Sequence, residues 1–405
     1  MPKIMKIRPV LLSAPYANER NAEVAIHLPQ GYRTCSLVEL TLDNGVTGLG
    51  EGYLGVFAPR VFREIVELVA PYLIGEDIMQ TNLIYRKVCD IVGYWSFQGA
   101  ARHVVSAIEI AAVDAKAKVI GIPAYDLFGG TQVTEIPVYG SGGDSRNPEE
   151  MEKEFQFLHS LGIRKFKIRA RNYEPYKAAW CLERGRELGI CVAVDMAQNL
   201  ATPGQSVCDV VEFLQQVQQL THEKFLFLEE ALGCLDTQSY PILRSKVDVP
   251  ICGGEVVTTS TELCSRVSRY YYDFVQPDAT VIGGMGEVNK VFAACFDCGS
   301  RAVVHCWGGA VCMMANYHIA FANGAELVEY PMPDFPIRRD LMAEPLTIRD
   351  GKLQLPTAPG LGVVLTPELE EKYPFREDAL YNCIGNVQAA CNDQAYQKAF
   401  LPRFI

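Results

Sequence analysis

Three acidic residues near the middle of the chain, Asp195, Glu229 and Glu255, each close a short apolar run typical of a β-strand. The runs are ICVAVD, FLFLEE and VPICGGE, and the acids are spaced 34 and 26 residues apart. A single acid in such a place is more often a helix cap or a surface charge. Three in successive units are harder to explain in that way, because neighbouring parallel strands would bring the carboxylates together and their repulsion would require a cation. Carboxylate oxygens with open positions suit Mg²⁺, so we predict a magnesium site formed by these three residues.

The next three apolar runs end in residues suited to proton transfer. Asp278 closes DFVQPD, His305 lies at the end of RAVVHC, and Glu329 lies in ELVEY. A lone histidine on an apolar strand is usually a hydrogen-bonded core residue. An aspartate one strand away can fix the imidazole tautomer and raise its basicity, which prepares a general base. We therefore predict that His305 is a catalytic base that Asp278 orients.

Two basic residues, Lys167 and Arg169, alternate onto one face of the run KFKIR. A solvated basic pair is the plainer interpretation, whereas a position facing the acids would make both part of the site. Glu230 follows Glu229 directly and should face the opposite way, so we expect it to be a structural group. The histidines in helical stretches are also expected to be structural: His103, His159, His222 and His318.

A regular alternation of strands and helices from about residue 132 onward would position these groups. EIPVYGS and KFKIR open the series, the six runs above continue it, and amphipathic stretches such as NPEEMEKEFQFLHSLG separate them. Strands joined by single helices run parallel, and eight such units suit a closed barrel better than an open doubly wound sheet. No GxGxxG motif supports a dinucleotide-binding fold. The prediction is an α/β barrel of the (β/α)7β or (β/α)8 type over residues 132–350.

Two further segments flank this barrel. Within residues 1–131, CSLVELTLDNGVTGLGEGY predicts two strands that turn at Asp43-Asn44-Gly45, and residues 61–127 are mostly helical. This region therefore predicts an α+β domain. Residues 351–405 begin with a stretch rich in Pro and Gly, and we expect them to pack back onto the N-terminal domain.

The composition favours small-molecule chemistry. The 405 residues carry a net charge of −11 with no dense basic run, which gives little support to binding of nucleic acid or a membrane surface. No apolar run reaches the roughly 18 residues of a membrane span, and the N-terminus lacks the features of a signal peptide. A cytoplasmic location is expected. The fourteen cysteines show no framework spacing, so reduced thiols are expected rather than disulfides.

Taken together, these motifs resemble the mandelate racemase branch of the enolase superfamily. The resemblance lies in Lys-x-Arg on the second strand, FLEEA, GGE, QPDATVIGG, HCWGG and VEY, in that order. It covers nearly the whole chain, since the N-terminal hairpin and helices look like the capping domain of the family. DAKAKVIGIPAYDLFGG is similar to the usual entry to its barrel.

This resemblance implies an enzyme that removes the proton next to the carboxylate of an acid sugar and forms an enediolate. It implies one Mg²⁺ per subunit on the three acids named above, with Lys167 neutralising the substrate carboxylate and Glu329 bonding to it as a protonated acid. It also implies a homo-oligomer, from dimer to octamer. Specificity would come from the capping domain, where aromatic residues could cover the site. The candidate substrate-binding residues are His27, Tyr53, Tyr94, Trp95 and Trp307.

Two departures from the family pattern bear on the reaction. Arg169 stands where the family often has a second lysine, and an arginine is effectively never deprotonated, so a racemase with two bases is disfavoured. Elimination of water needs only His305, and a dehydratase that gives a 2-keto-3-deoxy acid is the favoured hypothesis. A cycloisomerase of a sugar-acid lactone or anhydro acid, an epimerase and a non-catalytic sugar-acid binding protein remain alternatives. Ala197 and the EEA motif also depart from the pattern and leave the substrate contacts open.

Overall fold

The N-terminal domain opens with a three-stranded antiparallel sheet. The computed structural model describes residues 1–16, 26–145, 147–200, 204–382 and 399–404. The strands are β1 (Ile4–Pro15), β2 (Tyr32–Leu42) and β3 (Thr47–Glu51), in that order across the sheet. The predicted hairpin is present between β2 and β3, where Gly45 adopts a φ of +83° and its N–H donates to the Leu42 carbonyl.

Three helices follow this sheet and pack on it: α1 (Pro59–Val69), α2 (Thr81–Ser96) and α3 (Ala100–Ile120). The helical prediction for this region is confirmed. α3 is buried along most of its length, because the N-terminal sheet covers one side and the barrel helices cover the other. It is thus the element that joins the two domains.

The second domain contains eight parallel strands. They are β4 (Glu135–Ser141), β5 (Lys165–Arg169), β6 (Cys191–Asp195), β7 (Leu228–Glu229), β8 (Ile251–Gly253), β9 (Phe274–Val275), β10 (Arg301–Ala302) and β11 (Val328–Pro331). β4 to β10 lie side by side in chain order, and β11 returns to pair with β4. All eight predicted strands are present, and the predicted α/β barrel is confirmed as the fold. In the described part of the chain no hydrogen-bonded ladder joins β10 to β11.

Helices alternate with these strands as the sequence predicts. They are α4 (Pro148–Ser160), α5 (Pro175–Leu188), α6 (Val207–Leu220), α7 (Ser239–Lys246), α8 (Ser260–Ser268), α9 (Ala279–Ile282), α10 (Met285–Cys298), α11 (Ala310–Ala322) and α12 (Ile337–Asp340). Asn147 caps α4 by accepting from the Glu150 N–H at 2.8 Å, and Pro148 occupies the first turn. The cap and proline predicted for this helix are therefore correct.

The C-terminal segment contacts both domains. β12 (Ile348–Arg349) and β13 (Lys352–Gln354) form a hairpin whose second strand pairs antiparallel with β4, and α13 (Pro367–Lys372) follows. Arg8 of β1 forms an ion pair with Glu370 at 2.6 Å, so the segment reaches the N-terminal domain as expected. Residues 383–398 and 405 of this segment lie outside the described residues, and the exact domain boundaries stay a prediction.

Two general expectations can be compared with this fold. None of the helices in the described ranges combines the length and the apolar character needed to cross a membrane. Every cysteine within those ranges is a free thiol, as the irregular spacing predicts.

Candidate active site

The strand register brings the predicted acidic residues to one end of the barrel. Arg169 is the register partner of Asp195, and Asp195 is the partner of Glu229. Glu255 lies just past the end of β8, the next strand. Below this row, the interior of the barrel is filled by a layer of apolar side chains that includes Tyr139 and Phe227. The acids therefore lie directly above this packed apolar layer, at the end of the barrel where enzymes of this fold have their catalytic residues.

Lys167 is the buried cation of this site. Its Nζ contacts Glu229 and lies 3.0 Å from Glu329 Oε1, and its side chain is only 2% exposed. Gln276 donates to the other carboxylate oxygen of Glu229 at 2.6 Å. Burial alone would lower the pKa of Lys167, but Glu229 and Glu329 outweigh this effect and raise it above its usual value. Lys167 therefore stays protonated and positively charged inside the barrel.

Glu329 differs from the expectation that it acts as a protonated acid. Burial favours the neutral form, but Lys167, His305 and the hydrogen bond from the Cys306 N–H lower the pKa of Glu329 to about 2. The group is therefore a carboxylate in this arrangement. The physical reason is that two cations face it, which the sequence position alone does not reveal.

Arg169 lies beside Asp195 and lines the cavity above the barrel. Its Nε lies 3.6 Å from Asp195 Oδ2 and 3.7 Å from Asp144 Oδ1, and its Cζ lies 4.7 Å from the centroid of the Trp307 ring. A guanidinium held by two acids and an aromatic face stays charged and keeps its orientation. Lys167 and Arg169 both belong to the site, so the interpretation as a solvated pair is wrong.

His305 makes the contact with Asp278 that the sequence predicts. Asp278 Oδ2 accepts from His305 Nδ1 at 2.8 Å, and the other ring nitrogen, Nε2, lies 3.3 Å from Glu255 Oε2. Burial would lower the pKa of His305, but Glu255, Glu329 and Asp278 raise it to about 10. The ring is thus an imidazolium at neutral pH while these acids are uncompensated, and it can accept a proton only once their charge is offset.

The three predicted metal ligands suit Mg²⁺ in kind but do not converge on one point in this structure. Within the described parts of the chain, no three His, Cys, Asp or Glu side chains are arranged as a metal centre. Each carboxylate has a partner instead: Lys167 for Glu229, the Ala197 N–H for Asp195, and Asn199 for Glu255. The donor set consists of carboxylates only, and these acids repel one another in a buried site. A hard divalent cation would offset that repulsion, so the residues fit the ion chemically.

A cavity of about 200 Å³ lies over these groups, between the two domains. Three of the predicted substrate-binding residues, His27, Tyr53 and Trp307, line it. Tyr94 and Trp95 do not line it. Tyr94 lies opposite the buried face of α2, which includes Val88 and Val92, and is fully exposed, whereas Trp95 is half exposed in the last turn of the helix.

Several cavity residues escape prediction from the sequence. His103, which is expected to be structural, lines the cavity near the beginning of α3, where burial lowers its pKa to about 4 and keeps it neutral. Tyr16, Arg33 and Asn199 also line the cavity. Arg33 leaves no distinguishing signal in the sequence, because β2 also contains Glu39 and several hydroxyl side chains. Asn199 and Tyr16 leave none either, since only the tertiary fold brings them to the site.

Glu230 is structural, as expected. It has a φ of +42°, its side chain turns away from Glu229, and its Oε1 accepts from the Gly254 N–H at 2.7 Å. Burial raises its pKa to about 8. This acid therefore fixes the loop that carries Glu255 instead of joining the cavity.

Two family models match the chain in succession. Residues 11–129 match the N-terminal domain of the mandelate racemase / muconate lactonizing enzyme family, and residues 150–369 match the enolase C-terminal domain-like family. The arabinonate dehydratase of Saccharolobus solfataricus is 24% identical over 88% of this chain and 95% of its own length. The D-galactarolactone cycloisomerase of Agrobacterium fabrum is 26% identical over 81% of this chain and 88% of its own.

Solved structures share the same architecture. The 3,6-anhydro-D-galactonate cycloisomerase from Zobellia galactanivorans superimposes with a TM-score of 0.80 at 22% identity, covering 92% of this chain and all of that one. The L-talarate dehydratase from Polaromonas sp. JS666, complexed with Mg and L-glucarate, gives a TM-score of 0.78 at 22% identity, covering 93% and 98%. At these identities the likeness concerns the fold: a parallel α/β barrel with an N-terminal capping domain.

Proposed function

This chain belongs to the mandelate racemase / muconate lactonizing enzyme family of the enolase superfamily, and from that premise we propose that it is a Mg²⁺-dependent dehydratase of an acid sugar. The product would be a 2-keto-3-deoxy acid. The observation that carries the proposal is the placement of one oriented imidazole, His305 on Asp278, at the same cavity as two metal-ligand candidates, Asp195 and Glu255, and a non-titrating Arg169. The relatives named above, which include an acid-sugar dehydratase, support the substrate class.

Different residues of this chain would bind the substrate carboxylate and the metal ion. Lys167 would hold the substrate carboxylate through its fixed charge, and Asp195, Glu229 and Glu255 would hold the ion. Mg²⁺, when bound, would supply positive charge to offset the second negative charge that develops on the carboxylate during proton removal. Such stabilisation is needed because proton removal next to a carboxylate creates a dianion.

His305 would perform both proton transfers of the elimination. Its Nε2 takes the proton from the carbon next to the carboxylate, and the C–H electron pair becomes available to form a double bond. As that bond forms, the neighbouring C–O bond breaks, and the same imidazolium gives its proton to the departing hydroxyl, so that water leaves. The enol that remains becomes the 2-keto acid. One base is sufficient for this sequence, whereas inversion of configuration needs a second base on the other face.

A cycloisomerase is the second candidate, and the relative from Agrobacterium fabrum is the observation that favours it. The same His305 and the same ion would serve, but the leaving oxygen would belong to a ring. The two reactions differ in products, because ring opening gives an isomer of the substrate and dehydration gives a product lighter by one water. A homo-oligomeric assembly also stays a proposal, which light scattering on the purified protein would measure.

A screen of acid sugars tests the proposed function. The protein would be incubated with aldonates and aldarates in the presence of Mg²⁺, and 2-keto products would be detected by semicarbazide and mass spectrometry. We expect turnover of at least one acid sugar with loss of water, and loss of that activity when a chelator removes the ion. If the product is instead an isomer of a lactone or anhydro acid, the cycloisomerase replaces the dehydratase.

Substitution of the proposed base separates catalysis from binding. We expect His305→Asn to lower turnover by roughly 10²- to 10⁴-fold, the usual contribution of a general base. In D₂O it should also abolish exchange of the α-proton, because Arg169 cannot accept that proton. The exposed His159→Asn serves as the control and should retain full activity. Undiminished turnover in His305→Asn would exclude this residue as the base.

A further inference from the structure

Arg33, on strand β2 of the capping domain, is a buried cation whose two terminal nitrogens have no hydrogen-bonding partner. It is only 2% exposed, and its Nη1 and Nη2 have no acceptor among the described residues. Its Cζ lies 4.9 Å from the centroid of the Tyr16 ring, 5.6 Å from that of Tyr53 and 5.5 Å from that of Phe335. Aromatic faces therefore surround the guanidinium, but no acceptor among the described residues hydrogen-bonds to its terminal N–H groups. A carboxylate could accept from both of them.

An unpaired buried arginine is costly, because it cannot lose its proton to escape the charge. Cation–π contacts with the aromatic rings offset only part of the free energy that is lost when the charge leaves water. Glu51 is close enough for its charge to act on Arg33, but it does not take the role of partner. It instead accepts from the Gly309 and Cys312 N–H groups, at 2.7 and 2.9 Å, at the beginning of α11.

A second unmatched group lies beside Arg33. The Tyr16 hydroxyl is also buried, and it has no hydrogen-bond partner among the described residues. Both residues line the cavity that contains His305 and Glu255. Two polar groups, both buried and both unmatched, thus face the space in which the proposed substrate would lie.

We infer that Arg33 and the Tyr16 hydroxyl bind a second anionic group at the far end of the substrate, so that the substrate is a dicarboxylic acid sugar, an aldarate, and not an aldonate. The inference deepens the proposed function and rests on it for the acid-sugar class. It assigns a specificity role to a residue of the capping domain, whereas the reacting end of the substrate is bound by the barrel.

Tyr53 lies next to both groups. Its ring centroid is 5.9 Å from that of His305 and 5.6 Å from the Cζ of Arg33, so the proposed base and the proposed anion site are at most about 11.5 Å apart. An extended six-carbon acid spans roughly 6 Å between its terminal carbons, as five zigzag C–C bonds of about 1.5 Å require. A phosphate would match the same donors, so a phosphorylated acid sugar is the alternative that the test has to include.

Matched substrates test the inference on the unmodified protein. Glucarate would be compared with gluconate, galactarate with galactonate, and 6-phosphogluconate would be included as the phosphate-bearing alternative. We expect kcat/KM to favour the preferred aldarate over its matched aldonate by about 10- to 100-fold, the size of a charge-assisted hydrogen bond. Equal values for the two classes would overturn the inference, and a preference for 6-phosphogluconate would overturn the aldarate assignment.

A substitution then tests the residue. In Arg33→Met the aldarate-to-aldonate ratio of kcat/KM should fall to about one, mainly through KM, and Arg33→Lys should restore part of it. Arg8→Met is the matched control, because Arg8 lies on the neighbouring strand, pairs with Glu39 and Glu370, and does not line the cavity. It should leave the ratio as in the wild type. An unchanged ratio in a folded Arg33→Met variant would overturn the inference.

A binding measurement tests the anion site independently of whether the protein dehydrates an acid sugar. Thermal shifts of the wild type would be compared for adipate, a six-carbon dicarboxylate, and hexanoate, its monocarboxylate counterpart. A larger shift with adipate supports the anion site even if no acid sugar is turned over, in which case only the proposed reaction fails. Equal shifts, or none with either acid, would overturn the inference even if dehydration is observed.

Discussion

Asp278 shows how single residues fix the state of the proposed base. Its Oδ1 accepts from the Thr280 N–H and hydroxyl at 2.8 Å and from Asn316 Nδ2 at 2.9 Å. Only Oδ2 remains for His305, so the aspartate cannot rotate without losing several bonds. The proton of the imidazole is thereby held on Nδ1, and Nε2 is the atom that faces Glu255 and the cavity.

A buried histidine outside the site should control the acid stability of the fold. His318 on α11 is fully buried, stacks on Tyr125 and accepts from its N–H at 3.3 Å. Burial lowers its pKa from 6.5 to about 3. The folded protein therefore keeps His318 neutral while the unfolded chain takes up a proton below pH 6.5, so stability is full above that pH and falls as the pH drops towards 3.

We expect the His318→Gln variant to respond less to acid than the wild type. Between pH 7.5 and 5 the histidine should cost the wild type about 2 kcal/mol of unfolding free energy, and the variant should not lose this amount. Urea denaturation at the two pH values measures the difference. The exposed His222→Gln should behave as the wild type does. Identical losses in wild type and His318→Gln would show that another group dominates the acid response.

At the scale of elements, the sequence is most informative where a strand ends. Asp195 and Glu229 close β6 and β7, and the alternation of strands with helices suffices to place them side by side. Glu255 and His305 lie past the ends of their strands, yet they can be found because apolar runs lead up to them. Charge states are less predictable: the ionised form of Glu329 depends on Lys167, which is distant in sequence and adjacent only in the fold.

The contact of β3 with α3 should tolerate no side chain at Gly50. A Cβ there would lie 1.7 Å from the Ala107 carbonyl oxygen of α3, which is backbone and cannot move aside. We expect Gly50→Ala to lower the unfolding free energy by about 1–3 kcal/mol or more, and to reduce activity because Tyr53, two residues past the end of β3, lines the cavity. Urea denaturation measures the first effect and the acid-sugar assay the second.

Gly93 provides the matched control for this substitution. It lies inside α2, and a Cβ added there would have no atom within 4 Å, so Gly93→Ala should stabilise the protein by about 0.5–1 kcal/mol. The same chemical change thus has opposite signs at the two sites. If both variants are neutral, β3 and α3 are packed less closely than described.

At the scale of the whole molecule, α3 joins the capping domain to the barrel through buried polar bonds. Glu109 accepts from the Met285 and Gly286 N–H groups at 2.9 and 3.0 Å, and Ser106 accepts from the Gly283 N–H at 2.8 Å. These bonds fix the domains relative to each other and so define the cavity between them. Arg33 and His103 enter the site only through this arrangement, which is why strand and helix patterns along the sequence could not predict their role.

The response of global stability to Mg²⁺ tests the proposed metal site without reference to activity. An ion that binds only the folded chain stabilises it by about 2.7 kcal/mol when its concentration is 100 times Kd. The wild type should therefore gain several degrees in Tm in millimolar MgCl₂ relative to chelator at matched ionic strength.

Glu229→Gln should lose this gain in Tm, because it removes one of the three carboxylates and the charge that attracts the ion. Glu212→Gln is the control: it changes an exposed acid on α6 that does not line the cavity, and it should retain the gain. Equal gains in all three proteins would place the ion elsewhere, and no gain in the wild type would remove the basis for metal-assisted dehydration.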